Sequence, residues 1–406
     1  MARTLPLEGV LVADFSRVLA GPYATMLLAD LGATVVKVER PGSGDDTRSW
    51  GPPWTETSSA YFESLNRGKH SVALDLTDER DREAAVELAR RADVLVENHR
   101  PGSLERFGLG YESLRADNPG LLYVSISGFG RTEGAELAGY DFVVQAVGGL
   151  MSITGQPDGP PTKVGVAVVD VLTGKDAALG VLAALRQRES TGTGQHIEVN
   201  LLSSLLSGLV NQVGSFLATG DSPERMGNRH PSIAPYETLR CEDASLAVAV
   251  GNDEQFRRLT ETLGLVGMAE DARFATNADR VHNREELVAE LENVLGARPA
   301  AAWQQRLQRV GIACGQVNDL SGAVRYAESL GLVPTLSHEG GESPGVRNPI
   351  GLSESGHARP TAPPRLGEHT TEILDWLFGR GTPPAAPEPE SRSRDLTGSG
   401  MDIHPI

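Results

Sequence analysis

The sequence predicts an α/β fold: a large Rossmann-like domain on a parallel sheet and a smaller α/β domain. Two observations carry this. Short apolar runs of strand length alternate with helical stretches through the first half, which implies βαβ units and a parallel sheet. The chain of 406 residues is also too long for one ordinary core.

The elements follow in order. Residues 9–15 (GVLVADF) form an apolar run of buried-strand length, and 20–32 (AGPYATMLLADLG) read as a helix after a loop. Residues 34–39 (TVVKVE) are the next strand, closed by Arg40-Pro41-Gly42. Residues 77–91 are a charged amphipathic helix with Thr77 as its cap. Strands follow at 93–97 (DVLVE) and 121–126 (LLYVSI). A further strand is expected at 164–169 (VGVAVV), then Asp170, then a helix over 173–188. Residues 196–199 are a short strand and 201–219 a long apolar helix. After a Pro/Gly-rich crossing at 222–235 the pattern changes, with a strand at 245–250 and helices near 254–263, 284–295 and 300–310. These boundaries divide the chain into a large domain over 1–224, a small domain over 225–325 and a return segment over 326–381 that completes the large one. The tail 382–406, rich in Pro, Ser and Gly, is expected to be disordered.

A net charge of -17 disfavours nucleic acid as a partner and makes any local basic cluster conspicuous. Cys241 and Cys314 lack metal-ligand spacing, and the nine histidines are scattered, so no metal is expected. No apolar stretch reaches the ~18 residues that span a bilayer. The N-terminus carries no signal-peptide pattern, and the cytoplasm is the expected compartment.

Asp170 follows an apolar run and opens a helix. On residue type alone it is a helix cap. At the carboxyl end of a strand in an open α/β sheet it would face the ligand crevice, where a carboxylate can act as a covalent nucleophile. Gly165 and Gly174 would let a ligand approach. Arg17, Arg40, His99, Arg100 and Arg106 each follow a strand of the N-terminal half, and basic residues gathered at one sheet edge favour a ligand with several phosphates. The run GFGRTEG at 128–134 does not match G-x-G-x-x-G and no P-loop is present, which disfavours a nicotinamide oxidoreductase. Tyr140 and Asp141 read as a helix-start pair.

Together the segments DFSRVLAGPYATMLLADLGATVVKVERPGSGDDTR, ADVLVENHRPGSLERFGLGYESL, GYDFVVQAVGGLMSITG, VVDVLTGKDAALGVLAAL and APPRLGEHTTEIL resemble the class III CoA-transferase family over residues 5–380. The resemblance implies an intertwined homodimer of linked rings. It implies CoA and acyl-CoA as substrates, with no permanently bound cofactor. It assigns Asp170 as the nucleophile that passes through an aspartyl-CoA thioester, with Tyr140 and Asp141 beside it. Arg17, Leu19, Ala20, Arg40, Leu74, Thr77, Asn98, His99, Arg100 and Arg106 match CoA-lining positions.

Arg17 and Leu19 stand where formyl-CoA transferase has His and Gln, which turns the expectation away from formate and oxalate. Arg17 suggests a dicarboxylate, with succinyl-CoA as donor. Two alternatives remain open: an α-methylacyl-CoA racemase-type isomerase, disfavoured because Tyr140 occupies the position of the racemase histidine, and a non-catalytic CoA-binding protein, disfavoured by Asp170.

Overall fold

Six strands form one parallel sheet: β1 (Leu11–Asp14), β2 (Thr34–Glu39), β3 (Lys69–Ala73), β4 (Val94–Glu97), β5 (Leu122–Ser127) and β6 (His196–Asn200). Their order is β3-β2-β1-β4-β5-β6. The structure is a computed structural model that describes residues 4–341 and 344–390. Because both faces are covered, β1 and β4 are apolar up to their last residue, while the polar Lys37 and Glu39 of β2 and Lys69 and Ser71 of β3 are buried as well. Val12, Val35, Val94 and Val124 point to one face, against Ala24 and Leu28 of the helix Ala20–Asp30 and Ala177 and Val181 of the helix Val168–Thr191. Their neighbours Ala13, Val36, Leu95 and Tyr123 point to the other, against Ala84, Ala85 and Leu88 of the helix Glu79–Arg91 and Ile373 and Leu377 of the helix Thr370–Leu377.

The chain divides into two compact units. Of the described residues, the larger holds those from 4 to 150, from 164 to 218 and from 331 onward, and the smaller 151–163 and 219–330. The smaller is built on an antiparallel sheet of β7 (Tyr236–Arg240), β8 (Ser245–Ala249) and β9 (Ala313–Gln316). Phe256, Leu287, Leu291 and Trp303 from its helices fill the core. The buried guanidinium of Arg280 donates to the carbonyls of Ala234 and Phe274 and pairs with Asp253 at 2.7 Å.

Several expected elements differ. No strand forms at 164–169: the edge beside β5 is taken by β6, and the helix already begins at Val168. Asp170 therefore lies in a helical first turn, not at a strand end. The helix at 79–91 is capped by Asp78, whose carboxylate accepts from the N–H groups of Arg80 and Asp81. Thr77 instead donates to Asp75. The apolar stretch 201–219 is two helices, Leu201–Gly208 and Val210–Thr219, bent by 79°. Within the stretch 382–390, expected as part of the disordered tail, residues 388–390 run along 357–359, with Arg359 N donating to Glu388 O and Glu390 N to His357 O. The expected tail beyond 390 lies outside the described residues. No single helix among those residues is long and apolar enough to cross a membrane.

Candidate functional site

In a sheet of this order the connections leave β1 and β4 in opposite directions, so a crevice opens beyond their carboxyl ends. The loop after β1 (16–19) and the loop after β4 (98–101) form its floor and one wall. A cavity of about 230 Å³ lies there, lined among others by Arg17, Leu19, Asn98, Arg100, Tyr140 and Asp170. A larger hollow of about 1060 Å³ opens elsewhere in the same unit, near His70 and His369. It lies away from the topological switch, so position rather than size picks out the crevice.

The floor is held from below by buried charge. Asp14, at the end of β1, accepts from Ser16 N and Oγ and from Thr25 Oγ1, and pairs with Lys69 at 3.1 Å. Burial opposes the Asp14 charge, but Lys69, Lys37 and the hydroxyl bonds win and lower its carboxyl to about 2. Lys37 pairs with Asp45 at 2.9 Å and donates to the carbonyl of Ser16 at 2.8 Å. Asp45 in turn accepts from Val18 N at 3.2 Å. Val18 sits at φ 69°, in the left-handed region that a β-branched residue avoids. Beside it Asn98 grips the Arg17 peptide from both sides, accepting from Arg17 N at 3.0 Å and donating to Arg17 O at 2.7 Å.

His99 faces the crevice with Nε2 at 3.0 Å from the carbonyl of Phe15. Burial first, then the Arg17 charge, lowers its pKa, which favours the neutral imidazole. The opposite wall is the loop 128–139. Gly128 and Gly139 touch there through their α-carbons, since a Cβ on either would fall within 2.4 Å of the other's Cα. The run GFGRTEG matches no nucleotide motif; its first glycine, Gly128, together with Gly139, lets the wall fold back on itself.

Asp170 reaches the crevice from the first turn of Val168–Thr191. Its own residue type suggested a cap, but the cap is Asp141. Asp141 Oδ1 accepts from Val169 N at 2.8 Å and from Asp170 N at 3.3 Å, while Oδ2 accepts from Gln145 Nε2 at 2.6 Å. Gln145 Oε1 receives Val164 N at 2.9 Å, so the incoming chain is fixed without a strand. Burial, and then repulsion from Asp141, push the Asp170 carboxyl up to about 7. Gly174 does not admit a ligand: a Cβ there would lie 2.7 Å from the carbonyl of Ala20, so this glycine sets the close packing of two helices that brings Asp170 to Leu19 and Ala20. Gly165 has open space around it.

Tyr61 was not singled out in the sequence. Burial, followed by the charges of Asp170, Asp141 and Asp45, raises its phenol to about 12, although Tyr61 does not itself line the cavity. Of the other expected residues, Arg17 and Arg40 share Asp46, at 3.2 and 3.6 Å. Arg40 and Arg106 do not line the cavity, and Arg106 lies over the Phe107 ring at 4.5 Å. Leu74 is buried in the core and Thr77 is exposed on the turn before its helix. Among the described residues no group of three or more His, Cys, Asp or Glu is placed to hold a metal. The arrangement brings a buried carboxyl group, Asp170, into one crevice with the basic side chains of Arg17 and Arg100.

The family model described as CoA-transferase family III matches residues 7–370. The chain is 42% identical to a succinate–glutarate CoA-transferase of Agrobacterium fabrum over 92% of this chain and 96% of that one. It is 41% identical to an acetyl-CoA:oxalate CoA-transferase of Acetobacter aceti, over 88% and 92%. A crystal structure of a CaiB/BaiF family protein from Brucella suis matches with a TM-score of 0.84 at 42% identity, over 92% of this chain and 100% of that chain.

Proposed function

Because this chain belongs to CoA-transferase family III and is a CoA-transferase, we propose that Asp170 carries CoA from an acyl-CoA donor to a carboxylic acid as an aspartyl-CoA thioester. The observation that carries this reading is the Asp170 carboxylate at the crevice, in a turn whose N–H groups are already taken by Asp141.

An Asp170 oxygen attacks the thioester carbonyl, the C–S bond breaks, and a mixed anhydride and CoA thiolate form. The thiolate attacks the aspartyl carbonyl and releases the donor as a free carboxylate, leaving aspartyl-CoA. An acceptor carboxylate then attacks this thioester and expels the thiolate. The thiolate takes the acceptor's acyl carbon, and Asp170 leaves as a carboxylate. No net proton is consumed. Each intermediate hydrolyses readily, so a small, walled crevice suits it.

Arg17, which lines the crevice and pairs with the exposed Asp46, supports a dicarboxylate substrate with succinyl-CoA as donor. Relatives named succinate–glutarate and succinyl-CoA:mesaconate CoA-transferases point the same way. The molecule also suits a homodimer. The helix Val168–Thr191 leaves Leu179 exposed, and Leu206, Val210, Phe216 and Leu217 are exposed nearby in sequence. Light scattering is expected to give twice 43.1 kDa.

The deciding experiment incubates the protein with succinyl-CoA, adds hydroxylamine and maps the product by mass spectrometry. A hydroxamate at Asp170 is expected. Proton exchange at the substrate α-carbon in deuterated water, with no such adduct, would instead indicate an isomerase.

A further inference from the structure

Glu97 ends β4 with its side chain buried, 3% exposed, and does not itself line the crevice. Its Oε2 accepts the N–H of His99 at 2.8 Å, so it fixes the backbone of the 98–101 wall. Its Oε1 lies 3.4 Å from Nη1 of Arg131, which belongs to the opposite wall. Arg131 also donates to Ser125 Oγ at 3.0 Å and pairs with Glu105 and Glu198, both at 3.2 Å. One guanidinium thus ties the 128–139 loop to the end of β4, to Ser125 within β5, to Glu198 within β6 and to Glu105 beside Arg106. A planar fork that meets several acceptors fixes orientation as well as distance.

We propose that Glu97 and Arg131 form a positioning pair that holds the two walls of the crevice at the spacing acyl-CoA requires. This rests on the reading of the crevice as the CoA site. The pair touches neither Asp170 nor the cavity, so it acts on binding and leaves the chemical step alone. Loosening either partner lets the walls separate, and the ligand must reorder them at the cost of affinity.

The test measures CoA binding by calorimetry and steady-state kinetics with succinyl-CoA for Glu97→Gln, Arg131→Met, their double variant and Arg131→Lys. Each single variant is expected to raise Kd and KM about tenfold and to leave kcat within about twofold. The double variant should be no worse than Arg131→Met alone, because that variant already breaks the link to Glu97. Arg131→Lys, which keeps the charge but not the fork, should fall between wild type and Arg131→Met, and it decides the matter if a harsher variant does not fold. Additive losses, a fall in kcat at unchanged KM, or unchanged affinity would overturn the pairing. Arg17→Ala and Arg100→Ala separate the two readings. If these weaken CoA binding and the Glu97 and Arg131 variants do not, only the positioning role fails. If none of them does, the crevice itself is not the CoA site.

Discussion

Asp141 Oδ1 accepts the backbone N–H of Asp170 at 3.3 Å and that of Val169 at 2.8 Å, so one carboxylate caps the helix that presents another. The capping carboxylate stabilises the helix start and destabilises the charge of the residue it presents. Asp141→Ala should therefore cost about 1–2 kcal/mol of stability through the lost cap. Asp141→Asn retains an acceptor oxygen but removes the repulsion, so the pH midpoint of transfer should move below its wild-type value with a smaller loss of Tm. Thermal melts and pH–rate profiles of the two variants check this. An unchanged midpoint in Asp141→Asn would leave burial as the sole cause of the shift.

The Asp170 carboxyl is raised, by burial and then by Asp141, from its ordinary value of 3.8 to about 7. A covalent role requires the ionised form, so kcat/KM for an acyl-CoA should rise with pH through about 7 and level off above it. Stability runs the other way. The folded state holds this proton more tightly than the unfolded chain, so its contribution falls as pH rises from 3.8 to about 7 and is then constant. Asp170→Asn should abolish hydroxamate formation and raise Tm at pH 8, with little gain at pH 4. Loss of Tm at both pH values would contradict the repulsion.

Much of this was legible in the chain, for a physical reason. Strands covered on both faces are continuous apolar runs, so GVLVADF, TVVKVE, DVLVE and LLYVSI stood out. The run VGVAVV has the same composition, and no local signal separates it from them. What differs is non-local: Gln145 and Asp141, far back in the chain, take its N–H groups, and β6 takes the sheet edge. Asp170 was found through the motif around it, whereas the capping role belonged to Asp141 across a gap that residue type cannot bridge. Lys37 read as an ordinary strand residue in TVVKVE; its buried bonds to Ser16 and Asp45 exist only once β1 and β2 pair. Tyr61 stayed invisible because its link to Asp170 is through space.

Asn98 supplies both halves of the grip on the Arg17 peptide, one as acceptor and one as donor. Asn98→Ala removes both bonds, each worth about 1 kcal/mol. The expected result is a rise of up to roughly thirtyfold in KM for acyl-CoA. Asn98→Asp keeps the acceptor toward Arg17 N and loses the donor toward Arg17 O, so its KM should lie between the two. Equal KM values for Asn98→Asp and wild type would show that the donated bond does not matter.

Val18 bears backbone strain at the crevice floor, with φ 69° on a β-branched residue whose N–H is held by Asp45. Such a residue costs on the order of 1–3 kcal/mol relative to one that accepts the left-handed region. Glycine accepts it, although it adds about 0.5–1 kcal/mol of backbone entropy to the unfolded chain. Val18→Gly should thus hold or raise Tm while lowering kcat/KM, because a freer loop no longer fixes Arg17 and Leu19 against the ligand. Val18→Ala retains a Cβ and most of the strain, and loses only packing, so it should lower Tm. The ordering Gly above Ala is the result to check by calorimetric melts. If Ala proves the more stable, the left-handed turn carries no cost, and the Lys37–Asp45 pair beneath it serves only to bury charge.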